Sequence, residues 1–231
     1  IYSFITNIQV AANPQIIKSY TVGEYNYYSN LICRISKYSY YLMLFLAIPV
    51  IINIQYILQL WLGEAPEYSA SLIVLGLIFC LIDCLHGPLW TSMQATGKIR
   101  NYQLLVSIIL LLNIPFSYVA LKIGYSPNSI LVVQILISII TLIVRFVFSS
   151  KYAELNVGLY IKNVILPVTV VTIFSIPLPF YVATFFNDDW QQLLVTGAVS
   201  VILIIVIVLL IGVTKHERIS ILNMVLMRIK R

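Results

Sequence analysis

Asp83 and His86 are the two residues of this sequence whose types and spacing are best suited to chemistry. They lie three positions apart, so on a helix both side chains project from the same face. The residues before them are almost all apolar, and a carboxylate in apolar surroundings needs a partner or a function. A carboxylate beside a histidine is sensitive to protons. The pair could couple protons to transport, or it could form a structural hydrogen bond between packed helices.

Gly87 and Pro88 follow this pair directly and predict a break in its helix. Proline has no N–H to donate to the carbonyl of Cys84, and glycine loosens the turn further. Transporters place ionisable groups beside broken helices near the membrane midplane, where the groups serve coupling and gating. The sequence therefore predicts a helix break next to a proton-sensitive pair.

The elements that must position these residues are membrane-spanning helices. Hydrophobic residues make up 61% of the 231 positions and charged residues only 10%, and the mean hydropathy is +0.97. This composition excludes a soluble enzyme, a disordered chain and a secreted disulfide scaffold. A bilayer core about 30 Å thick needs about 20 apolar residues of helix. Six stretches are long enough: 38–62, 68–94, 102–121, 128–148, 161–182 and 190–213. We therefore predict an all-α, polytopic transmembrane helix bundle over residues 38–213.

The basic residues predict the orientation of this bundle. All lysines and arginines except Lys122 lie around alternate connections, and cytoplasmic connections are the ones enriched in these residues. The predicted linker helix 18–37 and the carboxyl terminus are therefore expected in the cytoplasm. Residues 214–231 predict a basic amphipathic tail that lies on anionic lipids of the inner leaflet. Residues 1–17 resemble a spanning helix entered part-way along, so we expect the natural protein to be longer at its amino end.

Three loop motifs resemble those of a known family. They are a linker with Pro14, Gly23 and Glu24; a turn with Trp61, Gly63 and Tyr68; and a loop with Ala95, Gly97 and Lys98. In their order and spacing they are similar to those of polysaccharide exporters, the lipid-linked oligosaccharide flippases of the O-antigen and capsule type. Their superfamily also contains the multidrug and toxin extruders. The chain departs from the family at 124–128, where a second glycine and an alanine are often found.

The resemblance implies that the chain is the carboxyl-terminal half of a two-lobed, fourteen-helix transporter. It implies a substrate, an undecaprenyl-pyrophosphate-linked glycan that is flipped across the bacterial inner membrane by alternating access. Polysaccharide polymerase and chain-length proteins are the protein partners it suggests. Half of a two-lobed carrier lacks the opposing wall of its cavity, so we expect no transport by this segment alone. We expect no cofactor, no metal site and no nucleic-acid partner.

Four further polar residues are candidates for contact with such a substrate. Arg145 could reach the membrane surface, or it could face the cavity and bind a pyrophosphate through paired hydrogen bonds. Arg34 and Lys37 could do the same at the cavity mouth, or they could serve only to fix the orientation. The amide of Asn53 could contact sugar hydroxyls or bond a neighbouring helix.

Two other functions remain possible for the same residues. A cation-coupled multidrug exporter should have a compact, acidic cavity, for which Asp83 alone offers support. A membrane-bound polysaccharide polymerase or ligase should have a large external loop with carboxylates, arginine or histidine, whereas the external connections here are short. The sequence contains no nucleotide loop, nucleophile elbow or zinc motif, so we expect a protein that is not an enzyme.

Overall fold

The computed structural model describes residues 2–186, 190–213 and 217–218, and within these ranges the regular structure is entirely helical. The α-helices in chain order are α1 (Tyr2–Thr21), α2 (Tyr25–Ile52), α3 (Ile54–Leu62), α4 (Ser69–Asp83), α5 (His86–Ala95), α6 (Arg100–Leu111), α7 (Asn113–Lys122), α8 (Asn128–Tyr152), α9 (Val157–Tyr160), α10 (Leu166–Ser175), α11 (Pro177–Ala183) and α12 (Trp190–Ile207). Two π-helical turns, Ile161–Ile165 and Val208–Gly212, follow α9 and α12. The predicted all-α class is confirmed.

Six segments of the described chain are long and apolar enough to cross a membrane. We number them spans 1 to 6: Tyr25–Ile52, Ser69–Ala95, Arg100–Lys122, Asn128–Tyr152, Val157–Ala183 and Trp190–Gly212. Their outer faces expose large apolar side chains, among them Ile108 at 60% and Ile114 at 70% of full exposure. Lipid, rather than water, is the solvent that such faces suit. The chain is therefore a multi-pass membrane protein with the predicted helix-bundle architecture.

Span 2 lies in the middle of this bundle. Its halves, α4 and α5, both pack against α2 and α8, and α5 also packs against α1. Buried residues make up 50% of the apolar window of span 1 and 39% of that of span 2, but only 6% of that of span 3. Spans 1 and 2 therefore form the core, and span 3 lies at the periphery. This arrangement places Asp83 and His86 inside the bundle.

Helix α1 packs against α2 of span 1 and α5 of span 2. Ile5 and Ile16 are fully buried, whereas Gln9 and Asn13 interrupt its apolar sequence, and α1 is not among the six spans. It runs to Thr21, four residues beyond the predicted end of the partial spanning helix. The polar face of α1 is therefore available to line the interior of the bundle.

Gly23 makes the turn between α1 and α2. Its φ of +83° is one that glycine adopts readily and other residues rarely do. Helix α2 then continues from Tyr25 through the predicted boundary at residue 37 without a break, so the linker and the first span are one helix. The physical reason is burial: Tyr28 and Ile32 are fully buried, so this part of the chain is packed rather than solvated. The predicted tail 214–231 lies outside the described residues except for 217–218.

The basic loops of the chain lie at one end of the spans. The loop between spans 2 and 3 carries Lys98, Arg100 is the first residue of span 3, and Lys151 lies in the last turn of span 4. We call this end the basic side. There span 6 is joined to span 1, since the Tyr41 hydroxyl donates a hydrogen bond to the Gly212 carbonyl at 3.1 Å. A Cβ at Gly212 would lie 2.9 Å from Cζ of the Tyr41 ring, so a larger residue there would force this ring to shift.

We expect Gly212→Ala to lower the free energy of unfolding by about 1–3 kcal/mol, because the added methyl group overpacks the contact with Tyr41. Gly197→Ala in α12 is the matched control, since a Cβ there meets no atom within 4 Å. The measurement is thermal unfolding of the full-length protein in detergent. Equal transition temperatures for the two variants would contradict the contact between spans 1 and 6.

Candidate functional site

A polar, largely open cavity of about 530 Å³ is lined by residues of α1, α4, α5 and α8, with α6 at its edge. Four amide side chains line it: Gln9, Asn13, Gln94 and Gln103. The same walls hold the two opposite charges of Asp83 and Arg145 and the indole ring of Trp90. Polar groups at membrane depth face protein or a water-filled space, because lipid offers them no partners. This cavity is therefore the candidate site of the chain.

The break in span 2 forms one wall of the cavity. Helix α4 ends at Asp83 and α5 begins at His86, so the break lies at Cys84–Leu85, just before the glycine and proline that predict it. The carbonyl of Cys84 accepts a hydrogen bond from Nε2 of Gln9 at 2.8 Å. This amide replaces the N–H donor that Pro88 lacks, so α1 satisfies the Cys84 carbonyl that the helix break leaves unpaired.

Gly87 allows α1 to approach this break closely. A Cβ built at Gly87 would collide with the side-chain oxygen of Gln9. One turn further on, the hydroxyl of Thr91 donates a hydrogen bond to the side-chain oxygen of Asn13 at 2.8 Å. The two amides of α1 are therefore bonded to span 2 on either side of Gly87, at the Cys84 carbonyl of the break and at Thr91 of α5.

Asp83 and His86 do not form a hydrogen bond with each other. The Asp83 carboxylate accepts a hydrogen bond from the Tyr2 hydroxyl on α1, while His86 Nε2 lies 3.2 Å from the Ser138 hydroxyl on α8. Of the two possibilities that their spacing left open, the structural hydrogen bond between Asp83 and His86 is therefore not formed. Asp83 is the last residue of α4 and His86 the first residue of α5, and each side chain contacts a different neighbouring helix. Both side chains still line the cavity.

Arg145 faces the cavity instead of extending to the membrane surface. Its Nη1 donates a hydrogen bond to the Tyr102 hydroxyl at 2.7 Å. Its guanidinium carbon lies 5.4 Å from the centre of the Trp90 ring and 5.7 Å from that of Tyr102, within the range of cation–π attraction. Its Nε is buried without a hydrogen-bond partner, and no carboxylate of the described residues pairs with it. The guanidinium thus retains donors for an anionic ligand.

A second, smaller cavity of about 140 Å³ lies on the other side of the same ionisable residues. Asp83, His86 and Arg145 line both cavities, so they form the partition between them. The hydroxyl of Thr141 lines the smaller cavity, and it is buried with no hydrogen-bond partner. A polar cavity of this size accommodates ordered water. Water or a polar ligand can therefore reach Asp83, His86 and Arg145 from either cavity.

Arg34 and Lys37 lie outside this site, which corrects the prediction that they serve the cavity. Lys37 is buried, with its Nζ 2.7 Å from Oε2 of Glu217, and Nε of Arg34 lies 3.4 Å from Oε1 of the same carboxylate. Because Glu217 attracts both cations, they join span 1 to the end of span 6 on the basic side.

Asn53 also lies away from the cavity, and of its two predicted roles the structure has the hydrogen bond to a neighbouring helix, not the contact with substrate. Its Nδ2 donates hydrogen bonds to the Thr196 hydroxyl at 2.8 Å and to the Pro49 carbonyl at 2.9 Å. The residue marks the break between α2 and α3 and bonds it to α12. Its amide is therefore fully used within the bundle.

Several residues of the site escape prediction from the sequence. Trp90, Gln94 and Gln103 line the cavity and Tyr102 bonds Arg145 at its wall, but no sequence pattern singles them out as site residues. The general signal that could have found the amides is their occurrence in or beside apolar spans, where polar groups need an internal partner. Among the described residues no group of three His, Cys, Asp or Glu side chains is placed to hold a metal ion.

Comparison with known proteins gives no relative: no protein-family model, curated protein or solved structure matches this chain. The likeness to polysaccharide exporters thus stays a prediction from the loop motifs. The functional argument depends on the geometry of the cavity.

We expect Gly87→Ala and Gln9→Ala to be strongly non-additive. Gly87→Ala alone should lower the free energy of unfolding by about 1–3 kcal/mol through overpacking. Gln9→Ala alone should cost about 1–3 kcal/mol, because the Cys84 carbonyl is left unsatisfied. Once Gln9 is truncated, the added methyl at Gly87 meets no obstacle, so the double variant should be no less stable than Gln9→Ala.

A double-mutant cycle of unfolding in detergent measures this coupling. If the losses in free energy of unfolding of the two single variants simply add in the double variant, Gln9 and Gly87 are not in contact. That result would contradict the packing of α1 against the break in span 2.

Proposed function

We propose that this chain is part of a transporter that flips an undecaprenyl-pyrophosphate-linked oligosaccharide across the bacterial inner membrane by alternating access. The product would serve surface polysaccharide biosynthesis. The observation that supports this best is the cavity of about 530 Å³ in a bundle whose outside is apolar. A solute that is moved through such a bundle must be polar, since an apolar solute needs no such cavity in a membrane.

The walls of the cavity suit a carbohydrate. Sugar hydroxyls both donate and accept hydrogen bonds, and the amides of Gln94 and Gln103 offer both functions. Trp90 adds an aromatic surface against which the apolar face of a sugar ring can pack. The uncharged amides of the cavity can form such hydrogen bonds with different sugars, which suits a glycan of several residues.

Arg145 suits the pyrophosphate of such a substrate. Guanidinium groups bind phosphate oxygens through paired, charge-assisted hydrogen bonds. The cation is held by Tyr102 and Trp90 rather than by a carboxylate. An anionic ligand therefore gains its attraction without first breaking an ion pair.

The same charges count against the multidrug alternative. Asp83 would attract a cationic drug, but Arg145 lines the same cavity and opposes it. A neutral or anionic polar solute avoids this repulsion.

The proposed movement uses the break in span 2. Broken helices beside a midplane site are the usual elements of alternating access, and the break at Cys84–Leu85 lies between two polar cavities. Asp83 and His86 at this partition are candidates for coupling to protons or cations. The positive-inside rule places the basic side in the cytoplasm, which would put the 18–37 segment and the carboxyl terminus there.

We expect Arg145→Gln in the full-length protein to reduce glycan export about tenfold or more, because the variant loses a charge-assisted contact with the phosphate. Lys151→Gln is the matched control, since it removes a cation from an exposed position on the same helix. Export is measured as surface polysaccharide at equal protein levels. Export by Arg145→Gln at the wild-type rate would contradict the role in substrate binding. Drug resistance without glycan export would favour the multidrug alternative.

We expect Asp83→Asn to reduce export about tenfold through loss of the ionisable carboxylate, with membrane insertion unchanged. Tyr2→Phe separates this role from a structural one, because it removes the hydrogen bond to Asp83 but leaves the carboxylate in place. Equal losses of export in the two variants would show that Asp83 serves only to hold α1.

A further inference from the structure

An apolar groove of about 340 Å³ lies between α1 and α2, apart from the polar cavity. Its walls are apolar side chains of both helices, including Ile5, Ile8, Ala12, Ile35 and Leu42. Arg34 is the one ionisable cation among its lining residues. The groove therefore combines a long apolar wall with a single positive charge.

The turn at Gly23 determines where this charge lies. Because α1 and α2 form an antiparallel pair around Gly23, Ala12 on α1 lies level with Arg34 on α2, both eleven residues from the turn. Ile5 and Leu42 lie seven to eight residues further on, roughly 11 Å along the helices. The groove thus extends from the Arg34 cation near the basic side toward the middle of the membrane. A phospholipid has the same direction, with its headgroup at the membrane surface and its acyl chains toward the middle.

The neighbouring ion pairs do not fully neutralise the positive charge of Arg34. Lys37 is only 2% exposed and lies 2.7 Å from Glu217, whereas Arg34 is 56% exposed and contacts the same carboxylate at 3.4 Å through Nε. Two cations thus share one carboxylate. No other ion pair of Arg34 occurs among the described residues, so its terminal nitrogens can bind a further anion.

We propose that this groove binds an anionic phospholipid from the leaflet on the basic side, with its phosphate on Arg34 and one acyl chain between α1 and α2. The apolar walls disfavour water, and in a bilayer the available occupant is an acyl chain. The unbalanced charge of Arg34 selects an anionic headgroup over a zwitterionic one. The bound lipid would hold α1 against α2 and so support the helix that supplies Gln9 to the cavity.

Native mass spectrometry of the full-length protein in detergent tests this proposal, with phosphatidylglycerol and phosphatidylcholine as probes. We expect one phosphatidylglycerol to bind about five- to tenfold more tightly than phosphatidylcholine. Arg34→Gln should abolish this preference and leave the fold intact, since Lys37 keeps its contact with Glu217. Ala12→Phe should block binding of both lipids by filling the groove. Ala11→Phe is the matched control, because Ala11 is exposed and does not line the groove.

Equal binding of the two lipids by the wild type, or an unchanged preference in Arg34→Gln, would overturn the proposal. So would equal losses in Ala11→Phe and Ala12→Phe, which would indicate general damage to α1. Displacement of phosphatidylglycerol by one equivalent of an isoprenyl phosphate would assign the groove to a carrier lipid instead. No glycan enters this experiment, so its failure leaves the proposed transport function untouched.

Discussion

The core of a bilayer offers no hydrogen-bond partners, so a carbonyl that a proline leaves unpaired must be satisfied by another part of the chain. In this protein Pro88 leaves the carbonyl of Cys84 unpaired, and Gln9 of α1 supplies the missing donor. Glycine at position 87 is what lets α1 approach closely enough. The same docking brings Tyr2 to the end of α4 and turns the polar face of α1 inward. The hydrogen bond from Gln9 to the Cys84 carbonyl thus holds α1 beside the break in span 2, where both helices line the cavity.

The charges of the chain are used in two different ways around this core. On the basic side, Glu217 pairs with Lys37 and Arg34 of span 1 and joins that span to the end of span 6, leaving one positive charge in excess. In the cavity, Asp83 and Arg145 line the same walls but are not paired with each other. Each is held by neutral groups, a tyrosine hydroxyl for the carboxylate and two aromatic rings for the guanidinium. Charges held in this way remain available to a ligand, and the proposed function depends on that availability.

Hydropathy and length were enough to predict the class of the fold and the number of spans, because both signals are local and the lipid solvent makes them strong; the first span differs, since Tyr25–Ile52 replaces the predicted 38–62. A hydrogen bond between Asp83 and His86, one of the two possibilities that their spacing left open, is absent because each side chain contacts a different neighbouring helix. The role of Lys37 could not be predicted because its partner, Glu217, lies 180 residues away. Asn53 likewise pairs with Thr196, 143 residues away. Such pairs depend on how the spans pack, and no local pattern encodes that packing.

Binding of a lipid-linked oligosaccharide to the cavity is the most direct measure of the central claim. Trp90 lines the cavity, so its fluorescence can report an occupant once every other tryptophan of the full-length protein is replaced by phenylalanine. Titration with an undecaprenyl-pyrophosphate oligosaccharide should give a saturable change in emission that the bare carrier lipid does not produce. No saturable change, or an equal change with the carrier alone, would contradict a glycan-binding cavity.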